Sequence, residues 1–174
     1  MKTSILFLSV LVFSNCFAAG GGDKRPFQIP TSEIVPIKDS GTGREYELFI
    51  KLPRNYSQDN KYPAVYLMDG TENFTIVSRV MDTTVGFGYM ENMLLVGISW
   101  EKNFRPDLSR QRDFTPTAAQ GFKDPTGQAD KHLAFIRNDV IPYIEKNYST
   151  DAARRAYVGH SFGGLFGGYI LITQ

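Results

Sequence analysis

Residues 33–174 are expected to form a single α/β unit, a mostly parallel central sheet flanked by helices, and three observations predict it. Tyr62–Met68 and Leu94–Ser99 are continuous apolar runs of the kind found in strands covered on both faces. Helix-compatible stretches alternate with these runs from Tyr62 onward, the order that right-handed crossovers build. A third run, Arg155-Ala156-Tyr157-Val158, leads into Gly159-His160-Ser161-Phe162-Gly163-Gly164, which has the composition of a strand-to-helix turn.

The amino terminus comes first in chain order. Met1-Lys2 is a short basic start, Ile5–Phe13 is apolar apart from Ser9, and Cys16-Phe17-Ala18-Ala19-Gly20 supplies small residues around a cleavage point after Ala18. This is the layout of a signal peptide over residues 1–18. The apolar run is about half of the ~20 residues that cross a bilayer, so no stable membrane span is expected. A lipid-anchored reading through Cys16 is weaker, because Phe13 and Asn15 are poor residues to precede a lipidated cysteine. Cleavage would remove the single cysteine, which suits a secreted or periplasmic protein. Residues 19–32, with Gly20-Gly21-Gly22, read as a flexible leader.

Glu33–Lys38 and Arg44–Leu52 read as strands joined by the Gly-rich turn Asp39-Ser40-Gly41-Thr42-Gly43. In the second, Tyr46, Leu48 and Ile50 alternate with Glu45, Glu47 and Lys51, which predicts a strand with one wetter face near a sheet edge. A short helix is expected over Glu72–Met81. A clearer one spans Ala129–Asn147, where Leu133, Ile136, Val140, Ile144 and Tyr148 share a face and Pro142 should bend the axis. Trp100–Gln128 is a polar excursion rich in charge and proline, too long for a tight connection. Its arginines suit either a binding site or a salt-bridged surface lobe.

Composition narrows the function. Nineteen Lys+Arg against eighteen Asp+Glu leave a formal net charge of +1, without the basic surplus that nucleic-acid binding needs. Two histidines and one cysteine argue against a zinc site, and one cysteine cannot form an internal disulfide. No cofactor is suggested.

The chemistry lies in Gly159-His160-Ser161-Phe162-Gly163, a Gly-x-Ser-x-Gly that follows a strand and opens a helix-compatible stretch, Leu165–Ile172. In that context the turn is a nucleophile elbow, which lifts a serine hydroxyl above the carboxyl edge of the sheet. Gly159 and Gly163 are expected because side chains there would strike the neighbouring strand or helix. A tetrahedral oxyanion needs two backbone donors: the amide after the nucleophile, Phe162, and one from the loop after an earlier central strand. Asp69-Gly70-Thr71 occupies that place, with Gly70 allowing a tight bend and the Thr71 amide as donor.

These stretches, with Arg112-Asp113-Phe114-Thr115-Pro116-Thr117, Ala129–Ile136 and Ile141-Pro142-Tyr143-Ile144, resemble one branch of the α/β-hydrolase superfamily. That branch includes esterase D-type enzymes, siderophore esterases, feruloyl esterases and mycolyltransferases. The resemblance covers Arg44 to the last residue in family order and implies the N-terminal part of an α/β-hydrolase fold. It implies Ser161 as nucleophile, the Thr71 and Phe162 amides as oxyanion donors, and a small-molecule carboxylic ester as substrate. By likeness to siderophore esterases, Arg105, Arg110 or Arg112 would face an anionic substrate.

A serine hydroxyl needs a histidine to take its proton and an acid to orient that histidine, and in this superfamily both follow the serine. Residues 162–174 contain neither. His160 adjoins the nucleophile on a diverging turn, and His132 is expected on the surface of a flanking helix. The expectation is therefore the N-terminal part of a longer serine esterase, incompetent as it stands. A non-catalytic binder of an anionic small molecule and an acyltransferase are the alternatives, the latter sharing the same nucleophile and donors. Oligomeric state is not legible.

Overall fold

A computed structural model describes residues 26–121 and 123–173. The signal-peptide reading of residues 1–18 lies outside them, as does the first half of the leader, residues 19–25. Five strands, β1 (Ser32–Lys38), β2 (Glu45–Lys51), β3 (Tyr62–Leu67), β4 (Leu94–Ile98) and β5 (Thr150–Val158), form one sheet in the order β1-β2-β4-β3-β5. β3 runs parallel to both β4 and β5, whereas β2 is antiparallel to β1 and β4. The mixed sheet matches the α/β expectation, with two parallel and two antiparallel pairings and β2 as the strand that runs against its neighbours.

The apolar runs behave as their composition requires. Every residue of β3 and β4 is buried, because helices cover both faces of the sheet. α1 (Gly70–Gly86) covers one face, packing Phe74 and Met81 on Val65, Leu67 and Leu95. The expected short helix is thus a 17-residue one. On the opposite face, α3 (Ala129–Phe135), α4 (Ile141–Asn147) and α5 (Phe162–Ile172) enclose a larger core with Tyr46, Leu48, Ile50, Tyr66 and Met68. In β2 Tyr46, Leu48 and Ile50 are buried as expected, but Lys51, expected on the wetter face, is buried too, paired with Asp82 of α1; the strand lies one place in from the edge strand β1.

The single helix expected over Ala129–Asn147 is divided by a π-helical turn, Ile136–Val140, immediately before Pro142. Pro142 has no N–H to donate one turn back, and a widened turn accommodates that missing bond. Leu133, Ile136, Val140 and Ile144 are nonetheless all buried, as their spacing predicts.

Two expectations need correction. The Trp100–Gln128 excursion contains a helix, α2 (Pro106–Phe114), with Pro106 in its first turn, where a missing N–H costs nothing. Its last residues, Arg112, Asp113 and Phe114, are buried. His132 is not a surface residue. It is 3% exposed, enclosed by the rings of Tyr46, Phe114, Phe135 and Phe166 at centroid distances of 5.4–5.7 Å, and neither ring nitrogen has a hydrogen-bond partner among the described residues. Aromatic neighbours, invisible in the local pattern, decide its position.

Among the described residues β5 pairs only with β3, and much of β5 and α5 is exposed, including Val158, Leu165, Leu171 and Ile172. No described helix is long and apolar enough to cross a membrane.

Candidate active site

Two bends leave the carboxyl ends of adjacent parallel strands. Leu67 of β3 is paired with Val158 of β5, and the Met68 N–H donates to the Val158 carbonyl at 2.9 Å, so the 69–71 and 159–162 turns start side by side. Neighbouring strands lie roughly 4.8 Å apart, which sets the scale of their separation.

At the second bend Ser161 caps α5 with φ 56° and ψ −119°, a conformation that side chains other than glycine rarely adopt. Such strain costs about 1–3 kcal/mol and is held by its surroundings. Gly163 N–H donates to the His160 carbonyl at 2.9 Å, Leu165 N–H donates to the Ser161 carbonyl at 3.0 Å, and the Tyr157 hydroxyl donates to the Gly163 carbonyl at 2.6 Å. A Cβ on Gly159 would lie 2.6 Å from the Gly163 carbonyl group, so glycine is required there. Gly163 is less constrained than expected: a Cβ would reach Met68 Cβ at 3.4 Å, contact rather than collision.

At the first bend the left-handed residue is Asp69, with φ 54°, not Gly70. Gly70 is needed for a different reason, since its Cβ would come within 2.8 Å of the β4 backbone at Gly97 and Ile98. Asp69 is 2% exposed, and its carboxylate accepts three hydrogen bonds from a distant segment. Arg110 Nε donates to Oδ1 at 2.6 Å, Arg110 Nη2 to Oδ2 at 3.0 Å, and Trp100 Nε1 to Oδ1 at 2.8 Å. The Asp69 hydrogen bond raises the Arg110 guanidinium above its ordinary value, against the opposing effect of burial.

Ser161, Phe162 and Thr71 are all exposed, and the Thr71 and Phe162 amides, in the first turns of α1 and α5, have no acceptor among the described residues. Unpaired amides at helix starts are suited to receive an oxyanion. The Ser161 hydroxyl makes no hydrogen bond among the described residues. His160 is exposed, with no partner for its imidazole among the described residues, and His132 is sealed in the aromatic cluster.

The three arginines separate. Arg105 is exposed and pairs with Asp107. Arg110 is bound to Asp69. Arg112 is 5% exposed, and its donors go to Glu101 at 2.6 Å, to both Asp113 oxygens at 2.7 and 2.9 Å, and toward Tyr46. Burial would by itself raise the Asp113 carboxyl, but Arg112 and the Tyr46 hydroxyl outweigh it and hold the group below its ordinary range. Sequence reasoning missed Asp69 as the anchor of the first bend, because its partners lie 31 and 41 residues away.

A strand-to-helix serine beside a second bend with free amides, on adjacent parallel strands of a mixed sheet flanked by helices, defines the α/β-hydrolase class of fold. The chain belongs to the esterase family described as "Putative esterase", whose model matches residues 40–171. It is 31% identical to the ferri-bacillibactin esterase BesA of Bacillus subtilis, over 88% of this chain and 57% of that protein. Similarity to the apo-salmochelin esterase of Escherichia coli is 26% over 71% of this chain and 41% of that one. A crystal structure of the BES protein from Bacillus cereus superposes with a TM-score of 0.78 at 26% identity, covering 87% of this chain and 60% of that one. The chain thus spans about half the length of the curated relatives it matches.

Proposed function

We propose that this chain carries the nucleophile and oxyanion half of a serine carboxylic-ester hydrolase. The observation that carries the reading is Ser161 in a strained elbow beside the 69–71 bend, with two amides at the adjoining helix starts that have no acceptor among the described residues. Ser161 Oγ attacks the ester carbonyl carbon, the carbonyl electron pair moves onto oxygen, and the Thr71 and Phe162 N–H groups receive that charge. Collapse expels the alcohol and leaves an acyl-serine, which water then hydrolyses.

The hydroxyl proton needs an acceptor, and no described imidazole touches Ser161. In this reading the chain acylates slowly and turns over little without a base supplied from elsewhere. The names of the relatives favour a small siderophore-type ester as substrate. Arg105, exposed on the 100–128 lobe, is the arginine that can exchange its exposed partner Asp107 for an anionic group on the substrate, while Arg112 holds the lobe together. A leader over residues 1–18 would direct export.

The test is fluorophosphonate labelling read by peptide mass, together with p-nitrophenyl ester hydrolysis. Slow labelling at Ser161, lost in S161A, with negligible turnover is expected. Labelling at another residue would overturn the nucleophile assignment. Robust turnover abolished by S161A would overturn the incompetence.

A further inference from the structure

The two oxyanion donors belong to different helices, α1 and α5, and one side chain from a third element touches the surroundings of both. Arg110 of α2 grips Asp69 through Nε and Nη2, two residues before the Thr71 amide. The same guanidinium lies 5.9 Å over the ring of Phe162, the residue that carries the other amide. A planar fork on a carboxylate fixes orientation as well as distance, which a single-point cation cannot do. Asp69 is the left-handed residue from which α1 starts, and its own carbonyl accepts from Glu72 and Asn73 N–H at 3.1 and 3.0 Å. Whatever sets the Asp69 side chain therefore sets the direction of the first turn of α1, including Thr71.

Resting on the nucleophile reading above, we propose that Arg110 is a positioning residue. It clamps the 69–71 bend to the start of α5, so that the Thr71 and Phe162 amides converge on one oxygen. It acts through Asp69 and Phe162, and its remaining donor, Nη1, has no partner among the described residues. Trp100 completes the clamp by donating to the Asp69 oxygen that Arg110 Nε also holds. It is the only tryptophan in the sequence, so its fluorescence reports on this junction alone.

The test compares a fluorophosphonate with its thiono analogue on the whole chain. In both, the Ser161 oxygen bonds to phosphorus, fluoride leaves with the P–F bond pair, and the hydroxyl proton passes to solvent. Only the P=O probe places a good hydrogen-bond acceptor between the two amides. The parent chain should label faster with P=O than with P=S. Arg110→Met should slow the P=O reaction by about tenfold, as expected for misplaced rather than absent donors, and leave the P=S reaction nearly unchanged. It should also shift Trp100 emission. Arg110→Lys keeps a cation over Phe162 without the fork, so it should give an intermediate ratio, and it carries the test if Arg110→Met does not fold.

A merely structural role would slow both probes alike and leave their ratio at the parent value. An unchanged ratio, with or without a shift in Trp100 emission, overturns the proposal while leaving Ser161 as nucleophile. Absence of Ser161 labelling in the parent overturns the nucleophile reading and the clamp with it.

Discussion

The Tyr157 hydroxyl donates to the Gly163 carbonyl at 2.6 Å, bridging the end of β5 and the first turn of α5 from beneath the serine. Burial, with Asp69 nearby, raises the phenol well above its ordinary range, so it stays a donor through neutral and alkaline pH. The same ring explains Gly167, whose Cβ would lie 2.7 Å from Tyr157 Cε1. Tyr157→Phe should cost about 1 kcal/mol of stability, the usual net worth of one such bond, and slow Ser161 labelling. Urea denaturation and probe kinetics measure both, and unchanged values would show that the bridge holds nothing.

Gly159 and Gly163 should respond differently although both belong to one motif. Gly159→Ala forces a Cβ to within 2.6 Å of backbone and should cost about 3 kcal/mol or more, with loss of Ser161 labelling. Gly163→Ala meets only a 3.4 Å contact, and the helix propensity gained offsets part of it, so its effect should stay within about 1 kcal/mol. Equal losses in thermal denaturation would contradict this difference.

His132 should make the fold acid-sensitive. Burial lowers its protonation below the ordinary 6.5; Asp113 and Asp39 favour the charged form, and Arg112 and Arg44 oppose it. The unfolded chain takes up this proton near pH 6.5 while the folded chain resists it. The stability is therefore complete above that pH and is lost as pH falls toward the folded value, by at most about 1.4 kcal/mol per pH unit. His132→Leu should flatten the slope between about pH 7 and pH 5 in urea titrations. A slope that survives the substitution would place the acid sensitivity elsewhere.

The lobe arginines should separate by burial. Arg112→Met takes the nearest cation from Asp113 and Glu101, leaving them Arg44 and the Tyr46 hydroxyl, and should destabilise by about 3 kcal/mol, the lower end of the loss when one partner of a buried ion pair is removed. Arg105→Gln removes only an exposed pair and should leave the melting temperature unchanged while weakening binding of an anionic ester. Reversal of that order in calorimetry would refute the division of roles.

Much of this was readable in the residues. The apolar runs at Tyr62 and Leu94 have the length and composition of covered strands, and the 3.6-residue spacing of Leu133, Ile136, Val140 and Ile144 marks the buried face of α3 and α4. Local pattern failed where charge is neutralised across the chain. Arg112 and Asp113 look like surface residues until Glu101, Tyr46 and Arg44 are brought around them, and α2 shows no apolar stripe because its buried end is ionic. Position along the chain also located the 69–71 bend without revealing its cause. Gly70 was the visible signal, yet Asp69 takes the unusual backbone and Gly70 yields room to β4.

The bond from Met68 to Val158 has a consequence for motion. Because the last rung of the β3–β5 ladder ties the two turns at their roots, they cannot separate by a hinge without unzipping adjoining strands. Any shift of α2 would then be felt by both turns together, because Arg110 holds Asp69 while the shared rung holds the serine turn to the same strand end.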